Sequence, residues 1–344
     1  MKYLLVTLGS IGDLMPFLAV ADSLRQRGHR VAIASNAGYA ALVTGSGFEF
    51  AIVSDRPARV LDDAIERDPS AAWKRVWEDV FVPAAKPTHD FIVHHAQSGP
   101  CKVIASWSAL GARSAQRELG IPLCTVYLSP HARDEDRPMD CQESRIGLFP
   151  SWFDAQSDDM PRTGFPMLDD ALVPALPPAL EGFLDEGPPP VIFTPGSFMR
   201  RAEDFFRESV TVCDRLNLRA IFLTPYADQV PANLPPTIAH FNFVSLQRLA
   251  PRCAALVHHG GIGTCAQALR AGIPQLITPV FFDQPDNAAR IEALGVGQRI
   301  GAYRRAEVGD RLAELLASGS VRDNCATVRA RFSGSDPLGQ ICDI

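Results

Sequence analysis

The sequence predicts an α/β protein with two doubly wound parallel sheets. Strand-like apolar runs alternate with helical patterns in each half of the chain, and polar, glycine-containing segments follow the strands. A Pro- and Gly-rich stretch, 165–190, separates the halves, and 344 residues are enough for two domains. We therefore predict Rossmann-like domains over 1–170 and 191–344, joined by a linker over 171–190 and facing each other across a cleft.

The first forty residues predict a complete strand-helix-strand unit. Lys2 to Thr7 is an apolar run typical of a buried strand, and apolar residues recur at helical spacing from Phe17 to Leu24. Gly28 ends this helix, and Arg30 to Ser35 alternates as the next strand. The same order of strand, helix and strand recurs at 102–105, 111–119 and 122–126.

The second half starts the same pattern again. Val191 to Thr194 is a strand, Pro195 to Ser197 a turn, Glu203 to Leu216 a helix and Ala220 to Thr224 another strand. Ligands of such sheets bind at the carboxyl ends of the strands, so the loops after the strands are expected to carry the functional residues.

Composition and charge exclude several classes of function. The chain is 47% hydrophobic and 21% charged, which is typical of a soluble globular enzyme, and its net charge of -6 argues against a nucleic-acid partner. The eight cysteines show neither CxxC pairs nor metal-ligand spacing, which favours a reducing cytoplasm. Asp13 interrupts the apolar start too early for a signal peptide, and no apolar run is long enough for a membrane span.

The most informative motif is His258-His-Gly-Gly-Ile-Gly-Thr264, between an apolar run that ends at Val257 and a helix predicted to begin at Cys265. The glycines allow backbone N–H groups to approach a ligand closely, and Thr264 is expected to cap the helix. A helix N-terminus with adjacent imidazoles predicts a diphosphate site, whereas a tight turn with incidental histidines is the alternative. The motif is not a Walker A loop, because the Lys-Ser/Thr ending is absent.

A second polar segment follows the next strand-like run, Pro274 to Val280. Asp283 and Gln284 supply acceptors and donors suited to sugar hydroxyls, and Asp286 and Asn287 continue the polar edge. Taken alone, the pair would serve equally well as a helix cap. Beside a diphosphate site, a ligand contact is the favoured interpretation.

The first half carries a glycine loop of its own, Gly9 to Pro16. Asp13 in this loop would repel a phosphate, so we interpret it as a general base. The alternative is that Asp13 only caps the helix. The turn ending at Ser197 is a weaker signal, since Ser197 could reach a phosphate or act as a cap.

Other patterns point to ordinary structure. The Asp134-Glu-Asp136 segment matches the DxD of metal-dependent sugar transferases, but its polar surroundings predict a solvated loop. The histidines within 89–95 lack the spacing of a helical zinc pair, so no metal site is predicted. Trp73 and Trp77 lie one helical turn apart, and a core position is favoured over the wall of an acceptor pocket.

Taken together and in this order, the motifs resemble those of the GT-B glycosyltransferases of the UDP-glycosyltransferase superfamily. The resemblance covers nearly the whole chain and rests on four segments: "GSIGD", "FTPGS", "HHGGIGT" and "FFDQPDNA". Three further segments resemble the bacterial rhamnosyltransferases of rhamnolipid synthesis: "WSALGAR", "LFPSWF" and "TGFP".

The resemblance implies roles for particular residues. Asp13 falls where antibiotic-type members carry a carboxylate base, in a loop whose Ser10 and Gly12 would face the donor. Gln267 replaces a Glu that holds the ribose hydroxyls in relatives. The residues expected to bind the donor are Ser197, Phe243, Val244, His258, His259, Gly261, Gly263, Thr264, Gln267, Asp283 and Gln284.

The implied activity is an inverting, metal-independent transfer of rhamnose or glucose from a UDP- or dTDP-sugar to a hydroxyl of an apolar small molecule or lipid. No cofactor is expected, and Asp13 would take the acceptor proton. The enzyme would be cytoplasmic, with room for peripheral contact at the inner membrane and for a partner protein. The alternatives are a sugar-nucleotide epimerase of the same fold and a non-catalytic partner of another transferase.

Two segments depart from the family pattern. Only about seventeen residues, 131–147, replace a longer helical segment that shapes the acceptor pocket in relatives, which predicts an open pocket or missing residues. The chain ends at Ile344, and we expect it to stop short of the helix that in relatives crosses back to the first domain.

Overall fold

A computed structural model shows two compact units. The first comprises Met1–Asp169 and Asp336–Ile344, and the second comprises Asp170–Ser335. The structure describes residues 1–55, 72–132, 143–154, 160–168, 173–197, 199–301 and 305–343.

Within these residues, each unit contains one six-stranded sheet in which all strand pairs are parallel. The strand order is β3-β2-β1-β4-β5-β6 in the first unit and β12-β11-β10-β7-β8-β9 in the second. The strands of the first sheet are β1 (Lys2–Val6), β2 (Arg30–Asn36), β3 (Glu49–Ser54), β4 (Cys101–Ser106), β5 (Leu123–Tyr127) and β6 (Glu143–Gly147). Those of the second are β7 (Val191–Thr194), β8 (Ala220–Leu223), β9 (Ile238–Phe241), β10 (Ala255–His258), β11 (Gln275–Ile277) and β12 (Gly297–Arg299).

Helices connect these strands. In the first unit they are α1 (Ile11–Gln26), α2 (Ala40–Gly45), α3 (Ala72–Val76), a π-helical turn (Trp77–Phe81), α4 (Val82–Ala96), α5 (Leu110–Leu119) and α13 (Pro337–Cys342). In the second they are α6 (Pro178–Asp185), α7 (Glu203–Leu216), α8 (Leu246–Leu249), α9 (Ile262–Ala271), α10 (Gln284–Ala293), α11 (Arg305–Ala317) and α12 (Gly319–Ala330). The prediction of two doubly wound α/β sheets is confirmed.

The strand orders fix where a ligand can bind. In each sheet, successive strands are added on one side of the first strand and then on its other side. This change of side, the topological switch point, lies between β1 and β4 in one unit and between β7 and β10 in the other. The residues of these four strands are buried, apart from the half-buried Lys2 and Lys102, as expected for parallel strands that are covered on both faces. The loops that follow them lie at the carboxyl edge of each sheet, which is where doubly wound sheets bind ligands.

The domain boundaries differ from the predicted ones at both ends of the second unit. The segment predicted as a linker contains helix α6, whose Leu180 and Leu184 pack into the core of the second unit. The last residues pack on the first unit: Ile341 is buried, and Asp343 forms a 2.7 Å ion pair with Arg27 at the end of α1. The expectation that the chain stops short of a helix returning to the first unit is therefore wrong.

Strand β6 lies in the segment that the sequence predicted to be irregular. Its first residue, Glu143, is buried and accepts a 2.7 Å hydrogen bond from Thr125 Oγ1 on β5, and its Oε1 lies 3.7 Å from Arg113 Nε. A buried carboxylate paired in this way is tolerated inside a sheet, but its charge hides the strand from an analysis of apolar patterns.

In the part of the chain that the structure describes, no helix is both long and apolar enough to cross a membrane.

Candidate active site

The first histidine of the glycine motif is part of the protein interior. His258 ends β10 and is fully buried. Its Nδ1 accepts a 3.1 Å hydrogen bond from the N–H of Gly260, so Nε2 carries the proton and donates to Oε1 of Gln275 at 3.1 Å. Burial, with His259 nearby, lowers the pKa of His258 to about 3. Because both ring nitrogens are engaged, His258 supports the turn instead of making the predicted contact with the diphosphate.

The second histidine lies against two glycines. A Cβ on Gly196 would lie 2.8 Å from the His259 ring, and one on Gly261 would lie 2.5 Å from it, so neither position tolerates a side chain. Gly196 follows β7 and Gly261 follows the neighbouring β10, so His259 fills the space between two loops at the switch point. Burial lowers the pKa of His259 to about 4. Its buried Nδ1 has no hydrogen-bond partner among the described residues, and a neutral imidazole nitrogen can bond a ligand oxygen.

Helix α9 begins earlier than the sequence predicted. Gly261 is its N-cap and Ile262 its first residue, so Thr264 lies inside the first turn and the prediction that Thr264 caps the helix is wrong. The glycine cap has no side-chain hydrogen bond, which leaves the N–H groups of the first turn, including that of Gly263, without a capping partner. Uncapped N–H groups at a helix N-terminus, together with the helix dipole, are a favourable environment for an anion.

The Asp283-Gln284 pair divides its functions. Gln284 is buried, and its Oε1 accepts hydrogen bonds from the N–H groups of Val280 (2.9 Å) and Phe281 (3.3 Å). That oxygen therefore stabilises the loop, and only the side-chain NH2 group of Gln284 is left to donate to a sugar hydroxyl. Asp283 precedes α10 and follows Phe282, whose φ of 56° is rare for a residue other than glycine. Such backbone strain is concentrated at functional sites.

The remaining predicted donor contacts lie around the same sheet edge. Phe243 follows β9 and is 67% exposed, whereas the side chain of Val244 packs in the core. Of these two residues, only Phe243 therefore has a side chain that is accessible to a ligand. Gln267 lies in the second turn of α9, and the carbonyl of Ser197 accepts a 3.3 Å hydrogen bond from the hydroxyl of Tyr226.

Asp13 occupies the third position of α1, where it completes a capping box. Its Oδ2 accepts hydrogen bonds from the N–H (2.6 Å) and hydroxyl (2.7 Å) of Ser10, whose Oγ in turn accepts from the N–H of Gly12 at 3.1 Å. A Cβ on Gly9, whose φ is 135°, would lie 2.5 Å from Oδ2. The alternative interpretation of Asp13 as a helix cap is thus realised, and Ser10 is committed to the cap.

Asp13 can still accept a proton while it caps the helix. Burial raises the pKa of Asp13, and the hydrogen bonds from Ser10 partly oppose the rise. Both hydrogen bonds go to Oδ2, so Oδ1 receives none from the described residues. A carboxylate with a raised pKa and one open oxygen is able to accept a proton.

Two residues that the sequence analysis did not select hold this loop in place. Asn36 Nδ2 (3.1 Å) and the hydroxyl of Tyr39 (3.2 Å) both donate to the carbonyl of Gly9. Both residues lie where β2 ends, and β2 is the strand paired with β1. Polar side chains after a neighbouring strand were the available signal.

An aromatic cluster lies at the carboxyl end of β4, the other neighbour of β1. Trp107 directly follows β4 and stacks on Trp73 with ring centroids 5.5 Å apart at 24°. Phe81 makes edge contacts with both rings and with Trp77. Trp73 is 44% exposed and is therefore not the core residue that was favoured. In this cluster Phe81 is buried, whereas Trp73 is accessible. The cluster lies beside β1, the strand that leads to Asp13.

The other histidines and the cysteines have structural surroundings. His89 pairs with Glu118 on the surface, and buried His95 contacts Lys2. All seven described cysteines are buried; burial raises the pKa of Cys253, for example, to about 12, which makes it a poor nucleophile. The described residues contain no group of three or more His, Cys, Asp or Glu placed to hold a metal ion. Residues 134–136 lie outside the described part.

Comparison with known families assigns both halves of the chain. Residues 3–135 match the model of the glycosyltransferase family 28 N-terminal domain. Residues 221–340 match the model of the erythromycin biosynthesis protein CIII-like C-terminal domain. The chain is a GT-B glycosyltransferase. The alternatives of an epimerase and of a non-catalytic partner are set aside.

Full-length relatives of this glycosyltransferase support the assignment. It is 27% identical to O-mycaminosyltylonolide 6-deoxyallosyltransferase of Streptomyces fradiae, over 97% of this chain and 93% of that protein. It is also 27% identical to vancomycin aglycone glucosyltransferase of Amycolatopsis orientalis, over 86% and 85% of the two chains.

Solved structures share the fold of the glycosyltransferase. Spinosyn rhamnosyltransferase SpnG, complexed with thymidine diphosphate, superposes with a TM-score of 0.78 at 20% identity, over 99% of both chains. Glycosyltransferase VinC, in complex with dTDP, gives a TM-score of 0.76 at 20% identity over 100% of both chains. At this identity the likeness establishes the fold.

Proposed function

We propose that this glycosyltransferase moves rhamnose or glucose from a UDP- or dTDP-sugar to a hydroxyl of an apolar acceptor, with inversion at the anomeric carbon and without a metal ion. The observation that carries the proposal is the unpartnered, buried Nδ1 of His259 beside the N-terminus of α9. The SpnG and VinC structures both hold thymidine diphosphate (dTDP), which supports a nucleoside diphosphate as the ligand.

In this proposal the diphosphate binds at the start of α9. Oxygens of the phosphates accept hydrogen bonds from the N–H groups of Gly263 and Thr264 and from His259. As the bond between the anomeric carbon and the diphosphate breaks, negative charge grows on the leaving oxygen. Fixed N–H donors and the helix dipole stabilise that charge more strongly than the ground state, which lowers the barrier. Phe243 stacks on the nucleotide base, and Asp283 accepts from a sugar hydroxyl.

The proposed base is Asp13. Its Oδ1 takes the proton of the acceptor hydroxyl while the acceptor oxygen bonds to the anomeric carbon and the nucleoside diphosphate leaves. The raised pKa of Asp13 suits this step, since a more basic carboxylate accepts a proton more readily. Direct displacement inverts the anomeric centre. Ser10 holds Oδ2 throughout and so fixes the direction of Oδ1.

The proposed acceptor is an apolar molecule that presents a ring surface to the aromatic cluster. Trp73 and Trp107 offer a flat, partly exposed stack, which binds ring systems better than it binds a flexible acyl chain. Relatives named for sterols and for the tylonolide and vancomycin aglycones support this class. The narrower resemblance to the rhamnosyltransferases of rhamnolipid synthesis, with a fatty acyl acceptor, peripheral contact at the inner membrane and a partner protein, remains a prediction.

The donor half is tested by calorimetric titration of the purified protein with UDP and with dTDP, in the presence and absence of a chelator. We expect binding of at least one nucleotide, with an affinity that the chelator does not change. His259→Ala should weaken that binding roughly tenfold or more, because a hydrogen bond to a charged phosphate is lost. His89→Ala, a surface variant in the first unit, is the control. Binding that requires a metal would contradict the proposal.

The acceptor half is tested with a panel of hydroxylated sterols, macrolide aglycones and 3-hydroxy fatty acids, scored by release of the nucleoside diphosphate. Trp73→Ala should raise the acceptor KM about tenfold or more while leaving the donor KM unchanged. The acceptor KM of Trp73→Phe should lie between those of the wild-type enzyme and Trp73→Ala. Val82→Ala, at an equally exposed position that makes none of the ring contacts, is the control. A Trp73→Ala enzyme with an unchanged acceptor KM would exclude the aromatic cluster as the acceptor surface.

A further inference from the structure

Asn287 joins two parts of the donor site that are separate in the sequence. It lies in the first turn of α10 and is fully buried. Its Nδ2 donates one hydrogen bond to the carbonyl of Gly260 (3.0 Å) and one to Oδ2 of Asp283 (2.8 Å). Both amide protons are therefore used, one on the glycine loop and one on the carboxylate proposed to bind the sugar.

The peptide groups of Gly260 are consequently held from both sides. Its N–H donates to His258, and its carbonyl accepts from Asn287 and, over 3.6 Å, from the thiol of Cys265. His258 is in turn anchored to Gln275 on β11, whereas Asn287 is anchored to α10. Gly260 is the residue directly before the cap of α9, so these bonds set the direction in which the first N–H groups of that helix point.

We infer that Asn287 is a positioning residue that couples the sugar contact at Asp283 to the diphosphate-binding loop. The inference rests on the proposed donor site. A single planar amide bonded to two acceptors cannot follow a movement of one without weakening its bond to the other. A shift of the Asp283 carboxylate on meeting a sugar therefore changes the restraint on Gly260, and the reverse also holds.

The two oxygens that face the Asn287 side chain require a hydrogen-bond donor at this position. A carboxylate would place negative charge against Asp283 Oδ2 and the Gly260 carbonyl, with no proton to donate. An apolar residue of similar volume would fill the space and remove both of the hydrogen bonds that Asn287 donates. The second case provides a variant that removes the coupling and keeps the packing.

The coupling makes a prediction that direct contacts do not. A nucleoside diphosphate has no donor sugar, so a substitution at Asp283 affects its binding through Asn287 and Gly260 or through the charge of the carboxylate. Loss of that negative charge alone would strengthen the binding of an anion, so only the connection through Asn287 predicts weaker binding. We expect Asp283→Ala to weaken binding of UDP or dTDP about two- to fivefold in an otherwise wild-type protein. Asn287→Leu should weaken it by roughly two- to tenfold, as the loss of one neutral hydrogen bond to the loop does.

The experiment is a double-mutant cycle measured by calorimetry with the nucleotide that the wild-type protein binds. In the Asn287→Leu background, Asp283→Ala should cause no further loss, because the connection is already broken. Asn324→Ala is the matched control: Asn324 Nδ2 donates to the carbonyl of Gly295, which follows the C-terminus of α10, whereas Asn287 lies near its N-terminus. Losses at 283 and 287 that simply multiply, or an Asp283→Ala affinity equal to wild type, would overturn the inference.

A measurement without ligand separates this inference from the proposed function. Hydrogen exchange over residues 258–266 should be faster in Asn287→Leu, faster to a smaller extent in Asp283→Ala, and no faster in the double variant than in Asn287→Leu alone. Equal exchange in all variants would overturn the coupling even if nucleotides bind. If the wild-type protein binds neither UDP nor dTDP, the proposed function fails, and hydrogen exchange still decides the coupling.

Discussion

At the scale of single residues, two adjacent histidines have different roles. His258 is the last residue of a strand and points into the interior, where it bonds Gly260 and Gln275. His259 follows the strand and lies between two glycines, and its Nδ1 has no hydrogen-bond partner in the described part of the chain. The pattern of the motif predicted that imidazoles belong there, but it could not predict which one faces a ligand. That distinction depends on Gln275, seventeen positions away, whose side chain completes the bonding of His258.

This difference predicts an unusual protonation behaviour. Because burial lowers the pKa of His258 to about 3, its ring should remain the neutral Nε2–H tautomer from pH 8 down to pH 5. Nitrogen-15 NMR of histidine-labelled protein measures this directly, with His258→Gln used to assign the resonance. A His258 signal that titrates near pH 6.5 would contradict the buried geometry.

The same shift links protonation to stability. An unfolded chain takes up a proton at His258 near pH 6.5, whereas the folded protein does not until about pH 3. The folded state therefore loses stability as the pH falls from 6.5 towards 3, and His258 alone should account for about 2 kcal/mol of the loss between pH 6.5 and 5. Urea unfolding at the two pH values tests this, since His258→Gln should reduce the dependence on pH.

At the scale of helices and strands, the predictions succeeded where apolar periodicity is uninterrupted. Helix α7 spans Glu203–Leu216 as predicted, because its apolar residues recur on one face that packs on the sheet. Strand β6 was missed because Glu143 is charged, and its burial is made possible by partners on other elements. Helix α9 was started too late because Gly261 caps it without a polar side chain, so the usual start signal is absent.

The packing of α4 on α5 gives a prediction at this scale. A Cβ on Gly111 in α5 would lie 1.9 Å from the carbonyl oxygen of Ala85 in α4, so the two helix backbones are in direct contact there. Gly111→Ala should lower the free energy of unfolding by about 1–3 kcal/mol, the usual effect of forcing extra volume into a packed interface. Because α4 follows the turn that carries the aromatic cluster, the acceptor KM should rise as well.

Gly45→Ala is the control for this substitution. A Cβ at Gly45, at the end of α2, would meet no atom within 4 Å, so the change should be neutral or slightly stabilising. Thermal and urea unfolding of both variants check the comparison. If Gly111→Ala were as stable as Gly45→Ala, the close contact between α4 and α5 would be wrong.

At the scale of the whole molecule, the sequence repeats one architecture twice, and the halves could be read from the alternation of strands and helices. The candidate residues then followed from a topological rule, because Asp13 comes after β1 and the glycine motif comes after β10. The supporting contacts could not be predicted in this way. Asn287 with Gly260, and Trp73 with Trp107, join segments that only the packed structure brings together.

The activity of the whole enzyme should depend on pH through Asp13. Asp13 must be deprotonated to act as the base, and burial raises its pKa above the ordinary 3.8. Turnover should therefore fall as the pH is lowered through this raised pKa, with a midpoint above 3.8. A profile of kcat/KM against pH checks this, since the free enzyme's essential base sets the acid limb.

Asp13 is proposed as the general base of the transfer, and the nucleotide-sugar donor is proposed to bind at His259 and the N-terminus of α9. The substitution Asp13→Asn tests the role of Asp13 most directly. An asparagine oxygen can still accept from Ser10, so the cap and the fold are expected to persist. We predict nucleotide binding within about twofold of wild type and turnover reduced by at least about a hundredfold. Wild-type turnover in Asp13→Asn would contradict the account.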